Sequence, residues 1–244
     1  MYKTAREASD FIEELLPLIE GSLPQLFLAV PFTSISTAAK AAKGTSIRIG
    51  AQNMNDARDG AFTGEIAALM LKEAGSEFVL LGHSERRQIF GETDAFIHRK
   101  IVRALQDDLI PIVCIGETSE EYQVGKTEEI LQAQLEGALK DLSKDEIDSL
   151  YIAYEPVWAI GSGQSASFKE IQKIHAHCRS VLADLFGKRK ASQIAILYGG
   201  SVTEKNIEEI SSLKDVDGVL VGGSSLDPKI LSQIVLNSNP KKVK

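Results

Sequence analysis

The chain has 244 residues, of which 43% are hydrophobic and 25% charged, and its formal net charge is −7. That length allows either two domains or a single large one, and no stretch reaches the roughly 18 uninterrupted apolar residues of a membrane span. Lys and Arg cluster nowhere beyond Lys241-Lys242, which argues against nucleic acid as a partner; two cysteines, Cys114 and Cys178, are too few for a disulfide framework and fit a reducing, cytoplasmic setting.

Met1 to Glu7 lacks the apolar core of a signal peptide. Thr4 and Glu7 form a capping box, and Ala8, Phe11, Ile12 and Leu15 share one face of a first helix that stops before Pro17. Apolar runs and amphipathic segments then alternate. Leu26 to Val30 reads as a strand ended by Pro31, and Ile35 to Lys43 as a helix ended by Gly44. Ile47 to Ala51 is the next strand, followed by a helix over Glu65 to Glu73. Phe78 to Leu81 is a strand stopped by Gly82, with a helix over Asp94 to Leu105. Strands Ile110 to Ile115 and Ile152 to Tyr154 flank a helix near Thr127 to Leu142. A long helix, Phe168 to Phe186, starts at the capping box Ser167/Glu170. Strand Ile194 to Tyr198, helix Glu204 to Ile210, strand Val219 to Val221 and a helix from Lys229 complete the series.

These strands are continuous apolar runs rather than alternating ones, and each is followed by a helix. Strands of that kind lie buried on both faces of a parallel sheet. No linker or charge block divides the chain, so residues 1–244 read as one α/β domain. A doubly wound sheet and a (β/α)8 barrel both fit the pattern. The barrel is favoured by where the polar residues gather: Gln52-Asn53, His83-Ser84-Glu85, Gly116-Glu117, Glu155, Gly199-Gly200-Ser201 and Gly222-Gly223 all follow strand ends. The count is one short, because the chain opens on a helix and an eight-stranded barrel needs a strand before it.

The chemistry centres on Tyr151 to Gly163. An apolar run ends on Glu155, and Pro156 behind it cannot continue the ladder, so the carboxylate sits at the carboxyl end of a strand. Val157-Trp158-Ala159-Ile160 is too apolar for an ordinary surface loop and runs into Gly161-Ser162-Gly163, the pattern of a hinged lid over a pocket. His83 likewise follows a strand end. Ser84 is placed to cap a short helix through Arg86 and Arg87, and a helix N-terminus favours a neutral imidazole that donates a hydrogen bond. His98, His175 and His177 lack such a context, and the spacing of the last two puts them on different helix faces, which argues against a metal site. The turns Gly161 to Gly163, Gly199-Gly200-Ser201 and Gly222-Gly223 can cradle a phosphate with backbone N–H groups. Gly161-Ser162-Gly163 also mimics a dinucleotide fingerprint, but an apolar loop separates it from the strand and no carboxylate ends the next one.

Ala51-Gln52-Asn53-Met54, Gly60 to Glu65, Gly82 to Arg87, Pro111 to Glu117, Tyr154 to Gly161, Tyr198 to Val202 and Val221-Gly222-Gly223 together resemble the triosephosphate isomerase family, in the same order and from end to end. The resemblance implies a TIM barrel that interconverts dihydroxyacetone phosphate and D-glyceraldehyde 3-phosphate with no cofactor. It makes Glu155 the base and His83 the electrophile, with Gly161, Ser201, Gly222 and Gly223 gripping phosphate. Gln52 to Gly64 resembles a loop that docks into a second subunit, which implies a homodimer. Ser162 and Gln164 stand where the family usually has threonine and lysine. The resemblance also implies a first strand ending Asn-Trp-Lys ahead of Met1. That strand and its lysine are missing from these residues, and Lys3 falls too late to replace it. A shortened chain, a catalytically impaired barrel kept for binding, and another phosphosugar enzyme are the alternatives this leaves open.

Overall fold

The apolar runs become seven strands of one parallel sheet, paired in chain order. They are β1 (Leu26–Val30), β2 (Ile47–Ala51), β3 (Phe78–Leu81), β4 (Ile110–Ile115), β5 (Tyr151–Tyr154), β6 (Ala195–Tyr198) and β7 (Gly218–Val219). The computed structural model describes residues 1–21, 25–143, 145–159 and 165–238. Register carries two rows across the sheet, one from Leu80 through Ile112 and Tyr151 to Ala195 and one from Cys114 through Ala153 and Leu197 to Gly218.

Alternate residues of these strands divide between two cores. Val79, Leu81, Val113, Ile115, Ile152, Ile196 and Tyr198 belong to the large cluster shared with the helices. Phe78, Leu80, Ile112, Cys114 and Ala153 form a second cluster on the opposite face, with Phe27, Ala29, Tyr151 and Leu197 packed against it. This period of two explains the continuous apolar runs, since both sides of each strand need apolar cover. The second cluster also reveals curvature. Phe27 of β1 lies edge-on to Tyr151 of β5, ring centroids 5.6 Å apart, although three strands separate β1 from β5 in the sheet. A flat sheet would hold those rings well over 10 Å apart, at about 4.8 Å per strand. The sheet is therefore rolled around its inner cluster.

The roll is not closed by hydrogen bonds among the described residues: β1 pairs with β2 alone and β7 with β6 alone. Every residue of β1 is partly exposed, whereas β3 is buried throughout. Unpaired edges exchange their amides more easily. Hydrogen exchange should accordingly release β1 and β7 amides well before those of β4 and β5. Equal protection in β1 and β5 would contradict an open edge.

Eleven α-helices surround the sheet among the described residues: α1 (Ala5–Leu15), α2 (Ile35–Ala41), α3 (Ala68–Ala74), α4 (Ser84–Gln88), α5 (Asp94–Gln106), α6 (Ser119–Gln123), α7 (Thr127–Leu139), α8 (Phe168–Phe186), α9 (Lys188–Ala191), α10 (Ile207–Ser212) and α11 (Pro228–Asn237). Thr4/Glu7 and Ser167/Glu170 form capping boxes, as their spacing predicts. Three local expectations change. The third helix begins at Ala68 rather than Glu65, because Glu65 is used in the loop, accepting a 2.8 Å hydrogen bond from Asn55. The tenth begins after Asn206, whose side chain accepts from Thr203 N–H and holds an irregular turn. A short helix at Ser119–Gln123, capped by Thr118 and Glu121, was hidden in the β4–α7 connection. No described helix is long and apolar enough to cross a membrane.

Candidate active site

Glu155 follows β5 directly, and its N–H still donates to Ile115 O at 2.8 Å, so the sheet anchors the amino side of the residue. Pro156 then ends the ladder. The side chain is 3% exposed, with Oε1 3.0 Å from His83 Nε2 and Oε2 accepting the Ser84 N–H at 3.0 Å. Two neighbouring strand ends make room for it. A Cβ on Gly116 would fall 1.9 Å from Glu155 O, and one on Gly199 would fall 2.9 Å from Glu155 Cγ. Neither position tolerates a side chain without moving the carboxylate or its strand. Gly199 therefore has a packing reason beyond the phosphate turn that its sequence suggests.

His83, rather than Ser84, caps α4: its Nδ1 accepts the Glu85 N–H at 3.3 Å. Ser84 becomes the first helical residue, and its N–H, free of any intrahelical partner, goes to Glu155. With Nδ1 accepting, the proton assigned from these partners lies on Nε2 and points at the Glu155 carboxylate. The helix terminus does not act on His83 alone. Burial disfavours the imidazolium, but the hydrogen bond and charge of Glu155, with Glu85 adding, outweigh it and raise the His83 pKa. A carboxylate at 3.0 Å acts more strongly than the dipole of a five-residue helix. Once Glu155 turns away toward a substrate, the burial that lowers the pKa is what remains, and the neutral donor is favoured again.

The glycine turns after β6 and β7 adjoin one another. Ser224 Oγ donates to Val202 O at 3.0 Å, and Asn206 Nδ2 donates to Ser201 O at 3.0 Å. Gly199 N–H reaches back to Tyr154 O at 2.7 Å, tying the Ser201 turn to the strand that carries Glu155. An added Cβ at Gly222 or Gly223 would meet nothing within 4 Å, so open space lies before both. Gly161, the fourth expected phosphate contact, lies outside the described residues.

Residues 1–238 match the family model described as triosephosphate isomerase. A triosephosphate isomerase of Protochlamydia amoebophila is 48% identical over 96% of this chain and 89% of its own length. One from Chlamydia abortus is 47% identical over 97% of this chain and 94% of its own length. One from Thermoanaerobacter pseudethanolicus is 44% identical, with 96% and 95% covered. The chain belongs to the triosephosphate isomerase family. It is an isomerase with the rolled parallel α/β architecture of the TIM barrel.

Several other residues of this chain have structural partners of their own. Lys3 packs its ammonium 4.5 Å above the Phe11 ring of α1, in keeping with its register being too late for the site. His98, His175 and His177 bond the backbone carbonyls of Ala138, Asp215 and Glu128, which suits structural posts. Cys114 is buried in the inner cluster, where burial, then the charge of Glu155, push its thiol well above the usual range and leave it inert. Glu117, which the sequence places at a strand end without a role, holds the turn after Glu155. Its buried Oε1 gathers the Trp158 indole N–H at 2.8 Å, Tyr154 O–H at 3.2 Å and Thr127 O–H at 3.3 Å. Burial raises its pKa against the opposing pull of those bonds.

Proposed function

We propose that the chain interconverts dihydroxyacetone phosphate and D-glyceraldehyde 3-phosphate through an enediolate. The observation that carries this reading is the convergence of Glu155 and His83 from two strand ends beside the turns at Ser201 and Gly222. Glu155 removes the proton from the carbon next to the carbonyl. His83 Nε2–H polarises the carbonyl and donates to the oxygen as it becomes negative. Glu155 then returns the proton to the neighbouring carbon while the hydroxyl proton passes from one oxygen of the enediolate to the other, so aldehyde and ketone exchange places without any redox partner. Gly161, Ser201, Gly222 and Gly223 hold the phosphate through backbone N–H groups, which need no cation. In the resting arrangement Glu155 is bonded to His83 and Ser84. Substrate must therefore replace these partners before the base can act, and the lid expected over Val157 to Gly163 keeps water out while it does.

The working unit is a homodimer of single-domain subunits in a reducing cytoplasm. Phe62, at 51% exposure, and Ile89 and Phe90, at 72% and 62%, stand out on the loops after β2 and β3 and supply apolar surface for the second subunit. Both cysteines are buried and unpaired. The test is turnover of dihydroxyacetone phosphate in deuterated water. Formation of D-glyceraldehyde 3-phosphate with solvent deuterium on carbon supports a proton-transfer isomerase. Absence of product would refute it.

A further inference from the structure

Tyr122 lies in α6, a helix that carries none of the reacting groups. Its ring stacks on the indole of Trp158, centroids 4.1 Å apart at an interplanar angle of 17°. Its hydroxyl donates to Glu170 Oε1 at 3.0 Å. These two partners belong to different flanks of the same connection. Trp158 sits in the single turn Val157–Ala159, two residues beyond the proline that follows Glu155. Glu170 closes the capping box at the start of α8, accepting the Ser167 N–H at 2.9 Å and hydroxyl at 2.6 Å through its other oxygen. Glu117 holds the edge of the same indole through Nε1. Trp158 is thus fixed on one face by Tyr122 and at one edge by Glu117, while Tyr122 is itself fixed by the end of α8.

We infer that Tyr122 is a positioning residue for the isomerase reaction, holding the Val157–Ala159 turn and through it the backbone of Glu155. This rests on the assignment of Glu155 as base. The physical reason is leverage. Pro156 joins Glu155 to the turn with a fixed φ, which removes one torsion that would otherwise absorb a shift of the turn before it reaches Glu155. Offset aromatic stacking restrains the indole in the direction that the Glu117 hydrogen bond leaves free. The hydroxyl bond adds a second fixed point, and the carboxylate of Glu170 raises the Tyr122 pKa, so the phenol keeps its proton across the neutral range. Two of these restraints can be removed separately. Tyr122→Phe keeps the stacking and loses the bond to Glu170, whereas Tyr122→Ala loses both.

Trp158 is the single tryptophan of the chain, so its emission reports the surroundings of this one indole. The experiment measures kcat, KM, thermal midpoint and tryptophan emission for the full chain and both variants, with Glu155→Gln as a reference. For Tyr122→Ala, kcat should fall roughly two- to tenfold, the range of one stacking contact felt in the transition state. KM should move less than twofold, and emission should shift to the red. Tyr122→Phe should keep the native emission and lie between the two in kcat. An unchanged kcat in Tyr122→Ala, or a fall that appears only where the thermal curve shows unfolding, would overturn the inference. Glu155→Gln separates the two readings: if it is active, the base assignment fails, and if it is inactive beside fully active Tyr122 variants, the positioning role alone fails.

Discussion

Glu155→Gln should lower kcat by roughly 10²–10⁴, the contribution of a positioned general base. The amide matches the carboxylate in size, and its oxygen can still accept the Ser84 N–H that now reaches Oε2 at 3.0 Å. The backbone anchor from Glu155 N–H to Ile115 O does not involve the side chain at all. Gly116 and Gly199 leave the same space for either residue. Fold and phosphate binding should therefore survive, with KM and the thermal midpoint close to those of the parent. What disappears is a group able to take a proton from carbon. Near-native turnover in the variant would remove Glu155 from the mechanism and leave the Glu155–His83 contact as a structural pair.

The strands and the position of this carboxylate were legible because they depend on local signals. Short apolar runs closed by Pro31 or by Glu155-Pro156 give the strand ends, and strand ends place Glu155 and His83 on one rim. The capping boxes at Thr4 and Ser167 read directly for the same reason, since partner and cap are three residues apart. Contacts between remote segments were not legible. Nothing in the spacing of Gly82 to Arg87 says that His83 rather than Ser84 caps the helix, because that choice depends on Glu155 claiming the Ser84 N–H. The raised His83 pKa has the same origin, a carboxylate from another strand. Gly116 and Gly199 look like ordinary turn glycines until Glu155 is set between them. Tyr122 is one aromatic in a polar stretch, and only the meeting of α6 with the turn after β5 pairs it with Trp158.

His83→Gln should lower kcat by roughly 10²–10³, the usual cost of losing one preorganised donor to a developing oxyanion. An opposing effect exists, because the substitution also releases Glu155 from its 3.0 Å contact with Nε2. A hydrogen bond to a charged group is worth about 1.5–3 kcal/mol, so freeing the base could in principle return part of the loss. The donor should win, since Glu155 keeps the Ser84 N–H in the resting state and exchanges its His83 contact during each native turnover anyway. The pH profile separates the two contributions. The raised pKa means that His83 gains its proton as pH falls through a point above the ordinary value of about 6.5. Below that point the free enzyme holds an imidazolium paired with the Glu155 carboxylate, its Nδ1 no longer accepts the Glu85 N–H, and the neutral donor is lost. Parent kcat/KM, which follows the free enzyme, should therefore decline on the acid side from the neutral range downward. In His83→Gln that neutral-range limb should vanish, because the glutamine does not titrate, while the rate at high pH stays low. A variant that keeps the limb would assign it to another group, and one that keeps the parent rate would leave carbonyl polarisation to some donor other than His83.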